Sequence, residues 1–188
     1  IFVDDGSTDR SVEQILTLRR EDARIRLLRL SRNFGIHAAL TAGLHYASGR
    51  AAIVLSADGQ DPASIIEEFL TKWREGYHIV WGIRQSRKDP WSKKLLAKIF
   101  YRFCRRVVLQ NFPEGGADCC LFDRRVIDEY LAIQERHSFL FATMLWMGFK
   151  QAYVPYHRRS RVLGKSKWSF AKRLQSAIDI TVSFSYFP

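Results

Sequence analysis

"FVDDGSTD", residues 2–9, decides the fold class. A β-branched and aromatic run, "IFV", reads as a strand that stops at two adjacent carboxylates, Asp4 and Asp5. Gly6 permits a tight turn, and Ser7, Thr8 or Asp9 can cap a helix starting near Arg10. One cap needs one side-chain oxygen, whereas this turn offers five hydroxyl or carboxylate side chains. The excess marks a strand end that faces a ligand.

Outward from this turn, strand and helix alternate. Strand-like runs are "IRLLRL" at 25–30, "AAIVLSA" at 51–57 and "HIVWGI" at 78–83. Helical patterns lie between them at about 10–21, 35–48 and, after the Asp61-Pro62 start signal, 63–75. The alternation predicts an α/β fold of βαβ units, with a mostly parallel central sheet flanked by helices. Ligands in such folds sit beyond the carboxyl ends of the strands, where Asp4, Asp5 and Asp58 emerge. The second half is less regular. A long basic amphipathic helix is expected over about 91–110, then a loop "NFPEGGADCC" at 111–120 and helices at about 123–133 and 138–148. A short strand "QAYVPY" at 151–156, a basic loop "HRRSRVLGKSKW" at 157–168 and a last amphipathic helix from about 166 complete the chain.

The 188 residues, 47% of them hydrophobic, fit one globular domain over 1–188. No secretory signal and no uncharged apolar run of about 18 residues is present. A strand motif already complete at Ile1, and an apolar, aromatic turn in "AIDITVSFSYFP" at the other end, predict a piece of a longer chain that lacks a first strand upstream. Cys104, Cys119 and Cys120 have neither metal-ligand spacing nor a disulfide framework, which fits a reducing compartment. His37, His45, His78, His137 and His157 are scattered without ligand spacing.

The net charge of +11 is unevenly placed. Residues 84–106 carry +8 and residues 158–173 carry +7, leaving −4 for everything else. A mildly acidic body with two basic segments predicts a directed anionic partner.

A second motif, "VLSADGQDP" at 54–62, brings Asp58, Gln60 and Asp61 to the end of another strand. Mg²⁺ and Mn²⁺ are held by one or two protein carboxylates, with water and substrate phosphates completing the shell, so a hard cation fits here. A plain strand-to-helix turn, with Asp61 capping ahead of Pro62, is the competing reading.

These motifs, with "LSRNFGIHAALTAGL" at 30–44, "GGADCCLFDRRV" at 115–126 and "RVLGKSKW" at 161–168, occur in the order and approximate spacing of the inverting family-2 glycosyltransferases. Within these the chain resembles the dolichol-phosphate mannosyltransferase and bacterial polyprenyl-phosphate glycosyltransferase branch. The resemblance implies a GT-A nucleotide-sugar fold. It also implies transfer of a hexose from a UDP- or GDP-sugar to a polyprenyl phosphate, with Mg²⁺ or Mn²⁺ as cofactor. Residue by residue, it implies nucleotide-sugar contacts from Asp4, Asp5, Arg32, Asn33, Gly35, Ser56, Asp58, Arg161, Lys165 and Lys167. Metal binding falls to Asp58 and Gln60, a catalytic or acceptor-orienting role to Asp118, and lipid-phosphate binding to Arg84, Lys93 and Lys94. Ser56 stands where the family has Asp, Gly59 where a larger apolar residue is usual, and Cys119 and Cys120 where Phe-Arg is common.

The implied setting is the cytoplasmic face of a membrane, with C-terminal transmembrane helices missing from this chain and the basic segments on an anionic surface. Homo-oligomerisation is compatible with this. A saccharide or protein acceptor is the nearest alternative. A nucleic-acid-binding module explains the charge but not Asp4, Asp5 and Asp58, because carboxylates repel phosphate unless a cation intervenes.

Overall fold

The structure, a computed structural model, describes residues 1–84, 117–133 and 140–157. β1 (Phe2–Asp4) and β2 (Leu27–Arg29) pair in parallel, with Val3 opposite Leu28 and Asp4 opposite Arg29. α1 (Ser11–Glu21) joins them, and Asp9 caps its start by accepting from the Ser11 N–H at 3.0 Å. α2 (Ile36–Tyr46) packs on β1, so closely that a Cβ on Gly43 would sit 3.1 Å from Val3.

A second sheet runs in the order β3 (Ala51–Val54), β5 (Ala117–Asp123), β4 (Ile79–Arg84), β6 (Gln151–Tyr156). β4 and β6 are parallel, whereas β5 is antiparallel to both β3 and β4. The α/β class holds, but the sheet is mixed rather than mostly parallel. The source of the difference is "ADCC", expected at the end of a loop and found opening a central strand. Its next residues show why: Cys119, Cys120, Leu121 and Phe122 are all fully buried. A strand covered on both faces has no polar alternation to betray it.

Those four residues divide between two cores. Cys120 and Phe122 join Ile79 and Trp81 under α2, α4 (Arg124–Ala132) and α5 (Leu140–Trp146). Cys119 and Leu121 join Val80, Val154 and Tyr156 under α3 (Ile65–Arg74). On the first face Thr41 of α2 meets the Tyr130 hydroxyl of α4 at 2.8 Å, and the Trp81 indole donates to Gln151 at 2.8 Å. Each buried polar tip thereby has a partner, as burial requires.

Because β5 reverses between two strands that run the same way, the carboxyl ends of β3, β4 and β6 and the amino end of β5 share one rim. At that rim the β4–β5 register slips. Trp81 faces Cys120 but Ile83 faces Ala117, so Asp118 and Cys119 together oppose Gly82. Such a bulge re-aims the bulged residues, and here it needs a glycine opposite, since a Cβ on Gly82 would press into the Cys119 sulfur.

The strands are shorter than the apolar runs implied. β3 stops at Val54, so Asp58 lies in the following turn and not on the strand. The expected helix over 91–110, the basic loop and the last helix lie outside the described residues, and with them Lys93, Lys94, Arg161, Lys165 and Lys167. Among the described residues no helix is long and apolar enough to cross a membrane.

Candidate active site

The two adjacent carboxylates that end β1 do different things. Asp5 reaches across to the loop ahead of α2 and accepts from the Phe34 N–H at 2.7 Å and the Gly35 N–H at 2.9 Å. A helix start leaves N–H groups unpaired and carries a partial positive charge, so a carboxylate is favoured there. Gly6 completes the junction. With φ at +73°, a Cβ on it would lie 2.7 Å from the Asn33 nitrogen and 2.8 Å from the Arg32 carbonyl carbon. The "DDG" turn is thus seated directly on the "RNFG" backbone, and Gly35, at φ +95°, turns that backbone into α2. Arg32, Asn33 and Phe34 are exposed, with the Arg32 guanidinium 4.2 Å above the Phe34 ring.

Asp4 is buried, with only 5% of its surface exposed. Its Oδ1 accepts from the Ser7 N–H at 3.1 Å, and Arg29 approaches Oδ2 at 3.8 Å. No hydrogen bond reaches Oδ2 among the described residues. A buried carboxylate oxygen without a donor is costly unless something else supplies one. Of the pair, Asp4 has the unmet valence and Asp5 the structural engagement.

The second cluster lies on the rim of the larger sheet. After β3 the chain passes Leu55, Ser56 and Ala57, all exposed, before Asp58 accepts from the Gln60 N–H at 3.1 Å. Gly59, between them, has φ +68°, so the left-handed bend suits glycine and accounts for the missing apolar residue. The turn is anchored by Asp61, whose Oδ2 accepts from the Ser56 N–H at 3.2 Å while its Oδ1 accepts from the Tyr156 hydroxyl at 2.9 Å. Burial first, then the Cys119 thiol and the Asp61 carboxylate, hold the Tyr156 phenol above its usual value, so it remains a donor. Tyr156 ends β6, and the basic segment beginning at residue 158 follows it by two residues. This brace between the acidic turn and β6 was not legible from sequence, where Asp61 read as a metal neighbour or cap.

Arg84 ends β4 on the same rim, and Asp118 enters it on the backbone of β5 at the bulge. The structure therefore gathers Ser56, Asp58, Gln60, Arg84 and Asp118 along one edge. It gathers Asp4, Asp5, Arg32, Asn33 and Gly35 at a separate turn, joined to the large sheet through α2, which packs on β1, α4 and α5. The donor set at Asp58 and Gln60 is all oxygen, which suits Mg²⁺ or Mn²⁺, but it is small. No group of three or more His, Cys, Asp or Glu able to hold a metal occurs among the described residues. A cation there would have to take its remaining ligands from phosphate and water. Cys119 and Cys120 are unsuited to chemistry: both are buried and neither forms a disulfide, and burial pushes the Cys120 thiol up.

The sequence profile described as Glycosyl transferase family 2 matches residues 1–131. The chain belongs to glycosyltransferase family 2. An uncharacterized glycosyltransferase of Synechocystis sp. is 39% identical over the whole chain, which spans 59% of that relative. A bactoprenol glucosyl transferase of Shigella phage SfV is 34% identical, again over the whole chain and over 62% of the relative. The chain thus spans about three-fifths of the curated relatives it matches. Among solved structures, a mannosyltransferase from Pyrobaculum calidifontis aligns over 87% of this chain and 48% of its own, with TM-score 0.54 and 17% identity. Glucosyl-3-phosphoglycerate synthase from Mycobacterium tuberculosis aligns over 96% of this chain and 66% of its own, with TM-score 0.53 and 16% identity. These likenesses place the family-2 chain in the GT-A fold and agree with a mixed sheet packed by helices on both faces.

Proposed function

We propose that this family-2 domain transfers a hexose from a nucleoside-diphosphate sugar to a polyprenyl phosphate, with inversion at the anomeric carbon. The observation that carries the reading is the rim, where Asp58 and Gln60 lie on a braced turn beside the ends of β4, β5 and β6. The bactoprenol glucosyl transferase relative supports a polyprenyl acceptor. The solved relatives named above were determined with GDP-Man and Mn²⁺, and with UDP-Glc and Mn²⁺, which supports the donor class and the cation.

In this reading Asp4, with Arg32, Asn33 and Gly35, holds the nucleoside, while Asp5 sets the loop that carries them. Asp58 and Gln60 would hold a divalent cation, which when bound would neutralise charge on the diphosphate leaving group. An oxygen of the acceptor phosphate attacks the anomeric carbon, the bond to the diphosphate breaks, and its electron pair leaves on the phosphate oxygen. A phosphate with a second pKa of about 6 is largely ionised near neutral pH, so little proton removal is needed. Asp118 then orients the acceptor. Arg161, Lys165 and Lys167 close on the diphosphate, and Arg84, Lys93 and Lys94 receive the lipid phosphate at the cytoplasmic face of the membrane.

The test is calorimetric titration of UDP- and GDP-hexoses with and without Mn²⁺ on wild type and Asp58→Asn. Metal-dependent binding that disappears in the variant is the expected result. Equal affinity in both proteins, or no heat from any nucleotide sugar beside tight, salt-sensitive RNA binding, removes the reading.

A further inference from the structure

We infer that the opposite end of the large sheet carries a second anion site, built for a phosphate-bearing ligand. A cavity of about 780 Å³ opens there, lined by Arg50, Arg74, Arg124 and Arg125 together with Trp73, Tyr77, His78 and Asp123. It lies where β3 begins, β5 ends and β4 begins, so the length of a six-residue strand, roughly 20 Å, separates it from the rim of Asp58 and Arg84. Its volume lies within the usual range for small-ligand pockets.

The charge of this cavity is unbalanced. Asp123 is its one carboxylate among the lining residues, and both of its oxygens are engaged: Oδ2 accepts from the Trp73 indole at 2.7 Å, and Oδ1 accepts from the Arg125 N–H at 3.0 Å at the start of α4. Arg124 is held in place, donating to the Ala47 and Gly49 carbonyls at 2.6 and 2.8 Å and pairing with Asp128 at 3.3 Å. The Arg50 guanidinium stands 5.5 Å above the Trp73 ring. Arg74 and Arg125 are exposed and have no ion pair among the described residues. Lys150, 4.4 Å above the Tyr77 ring, adds a further positive charge at the border. Guanidinium forks match phosphate oxygens two at a time, and several converging on one concavity select a multiply charged phosphate group.

None of this is visible in the linear charge pattern. All four arginines belong to the part of the chain that sums to −4, and three separate stretches, "GRA", "WREG" and "FDRRV", deliver them. Only the folded sheet brings them together. The phosphate can come from a soluble metabolite or from an anionic lipid headgroup, and one experiment with two arms separates these sources.

In the first arm, inorganic pyrophosphate is titrated into the whole protein in excess EDTA, which silences a metal-dependent rim. In the second, the protein is sedimented with phosphatidylglycerol vesicles and, for reference, phosphatidylcholine vesicles. Arg74→Gln with Arg125→Gln is expected to weaken pyrophosphate binding, or the phosphatidylglycerol-bound fraction, by about tenfold or more. Asp58→Asn leaves both unchanged. Whichever arm responds names the source. If the double variant matches wild type in both arms, or if Asp58→Asn removes the same binding, the inference is overturned. Arg74→Gln alone, at an exposed position in the last turn of α3, carries the same test should the double variant not fold.

Discussion

Replacing Asp5 with alanine separates anchoring from binding at the first turn. The carboxylate receives two backbone N–H groups at 2.7 and 2.9 Å, and hydrogen bonds to a charged partner contribute about 1.5–3 kcal/mol each. Phe34 is exposed and Gly35 half-buried, so water recovers part of this, and the loss is set nearer the upper end of a helix-cap deletion, about 2 kcal/mol. For a chain of this size that lowers the melting temperature by roughly 4–8 °C. Asp4→Ala behaves oppositely. It removes a buried carboxylate whose Oδ2 has no hydrogen bond among the described residues, so melting shifts little while nucleotide-sugar affinity collapses. Thermal unfolding and nucleotide titration on both variants, with Asp5→Asn as a partial rescue, decide the matter. A large melting shift for Asp4→Ala beside an unshifted Asp5→Ala would show the roles to be reversed.

Two further outcomes are expected. Tyr156→Phe keeps the buried ring but loses the 2.9 Å bond to Asp61; Mn²⁺-dependent nucleotide binding should weaken about tenfold while the melting temperature falls modestly, and an unchanged titration curve would show that the brace does not position the turn. His37, on α2, is held by burial down to a pKa of about 4 from 6.5, so the unfolded chain takes up its proton first as pH falls. Stability from this group is full above about pH 6.5 and drains away towards pH 4, by up to about 3 kcal/mol. His37→Gln should flatten that part of a melting-temperature profile, and a profile identical to wild type would contradict it.

The first half of the fold was legible because each strand there ends in punctuation: "DDGSTD", the Asp-Pro start of α3, and glycines at the turns. The sheet order was not. β5 carries two cysteines, a leucine and a phenylalanine in succession, a pattern that a buried strand shares with any apolar run. Its place between β3 and β4 comes from pairing across distant sequence, which no local pattern encodes. At the site, Asp4 and Asp5 look equivalent in the string. Their difference depends on a loop 29 and 30 residues away, into which only one of them reaches. The Asp61–Tyr156 brace spans 95 residues and was invisible for the same reason. Asp58 can be proposed from sequence because the chemistry of a short acidic turn is local.

The central position of β5 also bears on biosynthesis. β3 and β4 leave the ribosome with an empty slot between them, and about forty residues must be added before the strand that fills it is complete, a wait of several seconds at roughly 5–20 residues per second. Throughout that interval Ile79, Val80 and Trp81 lack their β5 partners Phe122, Leu121 and Cys120. A nascent chain stalled between residues 84 and 117 is therefore the species with most to gain from a chaperone.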